Sequence, residues 1–88
     1  MNKKFWKNKN ILITGIYGFV GSNLCKRLLK LEANIYGLYK NNSSSSLLKI
    51  ENIEGYNTIQ YKSSDYIKLQ DLITDKEIEI CFHLASQV

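Results

Sequence analysis

The chain has no apolar run approaching the roughly 20 residues of a membrane-spanning helix, so a membrane partner is excluded. Its basic start leads into an apolar stretch too short for a signal peptide, which runs straight into glycines. The cytoplasm is therefore the expected location. One histidine and two cysteines leave no metal-ligand spacing. In a reducing compartment Cys25 and Cys81 read as small buried hydrophobes and not as a disulfide. Lys and Arg outnumber Asp and Glu by 12 to 8, but Lys3, Lys4, Lys7 and Lys9 all fall in the first ten residues. That excess reads as a solvated lead-in; no predicted face gathers the rest, which excludes a nucleic-acid groove. No internal repeat is present. At 88 residues and 44% apolar content, the chain is one small domain or a piece of a larger one.

What is present is a glycine-rich turn set directly after a short apolar run. Residues 11–14 (Ile-Leu-Ile-Thr) predict a buried strand, and residues 19–31 predict an amphipathic helix. Gly15, Gly18 and Gly21 fall where one becomes the other. They are spaced three and three, where the common dinucleotide fingerprint has two and three. A plain strand-to-helix turn would carry such glycines too. With a buried strand before it and an amphipathic helix after it, the turn favours phosphate, because a helix N-terminus presents backbone N–H groups without intrahelical partners. Gly15 allows the tight exit, Gly18 lets backbone approach phosphate, and Gly21 lets the helix pack closely. Val20, Leu24, Leu28 and Leu31 form a stripe that would face a sheet, widened by Cys25 and Leu29. Lys26, Arg27 and Lys30 lie on its wet side.

Asn34–Tyr39 predicts the second strand, with Gly37 permitting close backbone approach. A polar loop follows at residues 41–46, then a short helix at 47–53 and a third strand at 58–61. Ser63, Ser64 and Asp65 signal a helix start, and that helix ends near Asp75. Residues 78–84 predict the fourth strand. Alternating strands and helices of these lengths give an α/β fold, a partial Rossmann doubly wound parallel sheet of order 3-2-1-4, truncated after strand four. Strand four would be an open edge, able to pair with another chain.

The segment Thr14-Gly15-Ile16-Tyr17-Gly18-Phe19-Val20-Gly21 resembles the TGxxGFxG turn of the extended short-chain dehydrogenase/reductases, the NAD-dependent epimerase/dehydratase group. His83-Leu84-Ala85-Ser86-Gln87 resembles the HLAAQ segment of that family, and Asp65 matches its acidic residue beside adenine. The opening Phe5-Trp6-Lys7-Asn8-Lys9 resembles the start of the nucleotide-sugar 4,6-dehydratase branch, particularly the CDP-glucose type. The resemblance implies that the backbone of Tyr17, Gly18, Phe19 and Val20 cradles pyrophosphate. Asp65 and Tyr66 would hold adenine, and Leu84, Ala85 and Ser86 would line the ribose and nicotinamide end. Asp65 can also serve as a plain helix cap, and His83 reads as a strand histidine in the core.

Two departures qualify this. An acidic residue about twenty positions past the turn normally binds the ribose 2′-OH of NAD. Here Tyr39 stands at that point, followed by Lys40, which could attract a 2′-phosphate. Dehydratases of the GDP-mannose type carry basic residues in this loop and use NADP, so the cofactor is NAD or NADP with a lean to NADP. Second, the Tyr-x-x-x-Lys helix that the family uses for proton transfer lies beyond residue 88. Tyr36-Gly37-Leu38-Tyr39-Lys40 has the spacing by accident, on a strand. The resemblance therefore implies the dinucleotide-binding front of a nucleotide-sugar dehydratase or epimerase, inactive alone, with catalytic and substrate-binding parts absent. The nucleotide sugar would be a ligand only of an intact protein. A stand-alone dinucleotide-binding or protein-interaction module is the alternative.

Overall fold

In the computed structural model the described residues are 3–39, 46–60 and 66–84. Four parallel strands, β1 (Asn10–Thr14), β2 (Asn34–Tyr39), β3 (Tyr56–Gln60) and β4 (Ile80–His83), form one sheet of order β3-β2-β1-β4. Helices α1 (Lys3–Trp6), α2 (Phe19–Lys30), α3 (Leu47–Ile50) and α4 (Tyr66–Asp75) are the other elements among the described residues. The expected topology is therefore the observed one. No helix among the described residues is long and apolar enough to cross a membrane.

Strand periodicity sorts the core into two layers. Ile11 and Ile13 join Ile16, Cys25, Leu28, Ala33, Ile35 and Leu48 on one face of the sheet. Leu12, Leu38 and Leu72 pack together on the other, where Tyr36, Leu69 and Ile78 border them. β1 is central and its Ile11, Leu12 and Ile13 are fully buried. At the sheet's N-terminal end, asparagines tie β1 to β2 and to the turn that follows α4. Asn34 Nδ2 donates to Asn10 Oδ1 at 3.0 Å, and Asn10 Nδ2 donates to the Lys76 carbonyl at 3.1 Å.

Several expectations need correction. The basic start is not merely solvated. α1 lays Trp6 against the core, 6.4 Å from the Phe82 ring, while Lys3 pairs with Glu32 (3.1 Å) and Lys9 with Glu79 (3.6 Å). The buried stripe of α2 runs through Gly21, Ser22, Cys25 and Leu28, so Cys25 is at its centre, and Val20 is 60% exposed. Lys26 keeps its wet face but is tied there: its Nζ lies 2.6 Å from Glu51 Oε1 and joins α2 to the end of α3. Cys81 is exposed, because it and His83 face the side of the sheet on which α4 covers Leu12 and Leu38 instead. His83 is accordingly exposed and not in the core. Close approach at Gly37 is by the Ile16 side chain, which occupies the place a Cβ would take.

Element ends also shift. β3 begins at Tyr56, two residues earlier than expected, and Tyr61 lies outside the described residues. α3 stops at Ile50 and β4 starts only at Ile80. In both places a residue of left-handed backbone ends the helix, Asn52 at φ 53° and Glu77 at φ 49°. The next N–H turns back to a helix carbonyl, Ile53 to Leu48 at 2.8 Å and Ile78 to Ile73 at 3.0 Å. These are Schellman ends without the usual glycine.

Candidate dinucleotide site

The turn between β1 and α2 is held from three sides. Gly15 has a φ of 70°, a conformation that glycine adopts without a Cβ penalty. The N–H groups of Gly15 and Ile16 both donate to the Leu38 carbonyl of β2, at 3.0 and 3.2 Å. The Gly18 N–H closes back on the Gly15 carbonyl at 3.0 Å, and Ser22 Oγ donates to the Ile16 carbonyl at 2.9 Å. A Cβ on Gly21 would run into the Gly15 carbonyl and come within 3.1 Å of Ile16 Cα, so only glycine lets α2 seat this closely. On Gly18 it would meet only the Gly15 oxygen, at 3.3 Å.

The outcome is an N-terminus open to an anion. Gly18 caps α2 with extended backbone and no side-chain cap bond, and the first turn carries no acidic residue. Gly18, Phe19 and Val20 are exposed, Phe19 by 85%. The partial positive charge of a helix start acts on whatever sits there. The turn lies at the carboxyl end of β1, between β2 and β4. Chain order reverses at that point, which is where open α/β sheets bind ligands.

On the β4 side, buried Thr14 gathers the strand ends. Its Oγ1 accepts the Leu84 N–H at 3.0 Å and lies 3.0 Å from His83 Nδ1. On the β2 side, Tyr17 turns its ring toward Tyr39, with centroids 5.1 Å apart, and toward Tyr56 at 6.3 Å. Lys49 Nζ stands 4.8 Å above the Tyr17 ring. Burial, then a hydrogen bond with Tyr17, raise the Tyr56 phenol above its ordinary range. Behind the turn, burial pushes the Cys25 thiol up to about 12, so it is a neutral packing group.

Of the residues singled out in the sequence, Gly15, Tyr17, Gly18, Phe19 and Val20 come together in the turn, and Leu84 stands across from them beyond Thr14. Tyr66 opens α4, and only its backbone is described. Lys40, Asp65, Ala85 and Ser86 lie outside the described residues. Tyr36 sits mid-strand in β2 with Lys76 Nζ 5.9 Å over its ring, on the face away from Ile16. Sequence reading missed Ser22 and Ser46, whose hydroxyls meet at 3.0 Å. Ser22 follows Gly21 directly, and that adjacency is the one signal that could have marked it.

Comparison with known proteins agrees with this geometry. The model of the NAD dependent epimerase/dehydratase family matches residues 11–88. Epimerase Mth375 of Methanothermobacter thermautotrophicus is 32% identical with a TM-score of 0.76, over 97% of this chain and 25% of its own. Bordetella bronchiseptica WbmF, solved in complex with NADH, is 30% identical with a TM-score of 0.74, over 99% and 25%. UDP-glucose 4-epimerase of Thermotoga maritima, solved with UDP-glucose, is 29% identical with a TM-score of 0.70, over 90% and 25%. The chain thus spans about a quarter of the length of each. A matching family model from Ile11 to the last residue, on a 3-2-1-4 sheet with its glycine turn at the switch point, places this chain in the NAD-dependent epimerase/dehydratase family.

Proposed function

We propose that the chain is the dinucleotide-binding front of a nucleotide-sugar 4,6-dehydratase or 4-epimerase and that these 88 residues alone are inactive. One observation carries the reading: the pinned Gly15–Gly21 turn, which opens an uncapped helix start at the switch point. Backbone of Tyr17, Gly18, Phe19 and Val20 would take the pyrophosphate. Asp65 and Tyr66 would take adenine, while Leu84, Ala85 and Ser86 would line the nicotinamide end. When bound, the nicotinamide supplies a hydride acceptor for the sugar C4 and the same hydride for its return. The residues present can bind and orient it. None of them forms the Tyr-x-x-x-Lys helix that moves the protons.

Choice of dinucleotide turns on the end of β2. Tyr39 there offers no carboxylate to repel a 2′-phosphate, and Lys40 next to it supports NADP. NADH in a 30% identical structure supports NAD, and it is the stronger support because it is a bound cofactor and not a single loop lysine. Titration of the chain with NAD and NADP, followed by heat and by melting, tests the proposal. Saturable binding is expected, with about 2.7 kcal/mol of added stability at a hundredfold excess over Kd and NAD the tighter ligand. Tighter NADP would return the preference to Lys40. No binding of either would overturn the proposal.

A further inference from the structure

Behind the turn, a chain of hydroxyls runs between elements that the sequence keeps 24 residues apart. Ser22, 1% exposed, donates from Oγ to the Ile16 carbonyl at 2.9 Å. Its Oγ also lies 3.0 Å from Oγ of Ser46, 4% exposed, which caps α3. A serine hydroxyl has a single proton to give. Ser22 spends it on Ile16, so Ser46 must be the donor to Ser22, and the chain runs in one direction from Ser46 through Ser22 to Ile16.

Direction matters because a trans peptide group is planar, with C=O and N–H pointing opposite ways. Drawing the Ile16 carbonyl onto Ser22 aims the Tyr17 N–H away from Ser22. The N–H of Ile16 is separately fixed on Leu38. The orientation of the peptide between Ile16 and Tyr17 therefore depends on the two hydroxyls. Their burial also makes an unmatched partner costly, which keeps the arrangement single.

We infer that Ser22 and Ser46 are positioning residues for the pyrophosphate: through the Ile16 carbonyl they hold the Tyr17 N–H in the direction a phosphate oxygen needs. This rests on the dinucleotide reading above. It also links the turn to α3, the element that follows the ribose end of β2, so that loss of a hydroxyl on α3 is felt at a phosphate it does not touch.

The test compares ADP, adenosine and NAD as titrants against the unmutated chain, Ser22→Ala, Ser46→Ala and Ser46→Thr. Ser46→Ala leaves the Ser22–Ile16 bond possible and is the variant least apt to unfold. It is expected to weaken ADP and NAD three- to tenfold, on the order of one modest hydrogen bond, with adenosine unchanged. Ser46→Thr restores the hydroxyl and the affinity. Ser22→Ala is expected to cost more, and if it does not fold the Ser46 pair decides alone. Unchanged ADP binding in Ser46→Ala, or equal loss for ADP and adenosine, overturns the inference and leaves the dinucleotide reading standing. An unmutated chain that binds neither ADP nor NAD overturns both.

Discussion

Gly18 and Gly21 share one turn yet face different constraints. Gly21 has no room for a Cβ, because the obstruction is backbone of Gly15 and Ile16, which cannot rotate aside. Gly21→Ala must therefore lift α2 off the turn, at a cost of about 1–3 kcal/mol for an overpacked site. A lowered melting temperature and at least tenfold weaker dinucleotide binding are expected. Gly18→Ala meets one oxygen at 3.3 Å on unstrained extended backbone, so it should stay near the wild-type melting temperature. Cys25 gives a second residue-scale expectation. Its thiol ordinarily titrates near 9.0 and in the fold near 12, so the native state keeps a proton that the unfolded state releases. Stability should fall as pH rises from about 9 toward about 12, and Cys25→Ala should flatten that slope in urea titrations. Alkylation of the native chain at pH 8 should label exposed Cys81 and spare Cys25. The glycines were legible in the sequence because their spacing is set by backbone geometry. The exposure of Cys81 and His83 was not, since apolar strand pattern does not say whether a helix covers a given face.

At the scale of elements, α2, α3 and α4 all end in the same way, with Glu32, Asn52 and Glu77 in left-handed backbone at φ 62°, 53° and 49°. Side chains with a Cβ cost roughly 1–2 kcal/mol in that region. Glycine would remove the strain, although it gives part of the gain back through a freer unfolded chain. Glu77→Gly should therefore raise stability by about 0.5–1 kcal/mol, measured as a shift of the urea midpoint at constant m-value. Glu32→Gly should gain less, because it gives up the pair with Lys3, whose hydrogen bond and charge hold the Glu32 carboxyl below its ordinary range. Asn52→Gly should gain least, since asparagine tolerates this conformation. The same ends explain which boundaries the sequence concealed. Helix stops are usually marked by glycine, and none of these three is. Apolar Ile53 and Ile78, which follow the turned residues, were consequently read as part of the short helix and the fourth strand. The strands themselves were legible because Ile11, Leu12, Ile13 and Ile35 are apolar wherever the two core layers meet them.

For the whole molecule, the two faces of the sheet are unequally covered. α2 and α3 lie over one face with Trp6 of α1 packed beside them, whereas α4 on the other covers Leu12 and Leu38 and leaves Cys81 and His83 exposed. β4 is consequently held by β1 along one edge and, on the first face, by packing of Ile80 and Phe82 against the core, to which Trp6 adds. Among the described residues no strand pairs with its other edge. Trp6→Ala removes one of these few supports, a half-buried ring worth about 1–2 kcal/mol by comparison with fully buried aromatics. The loss should fall on β4 first, because β1 and β2 stay buried on both faces. Amide exchange should quicken at Cys81, Phe82 and Leu84 while Leu12 and Ile13 keep their protection. Thr14 and Leu84 meet on this edge and not at the glycine turn. On the proposed placement of the nicotinamide at this edge, loosening β4 should weaken binding of a full dinucleotide and spare ADP. Equal weakening of NAD and ADP in Trp6→Ala would show instead that the sheet opens as one unit and that the α1 strap supports the entire site.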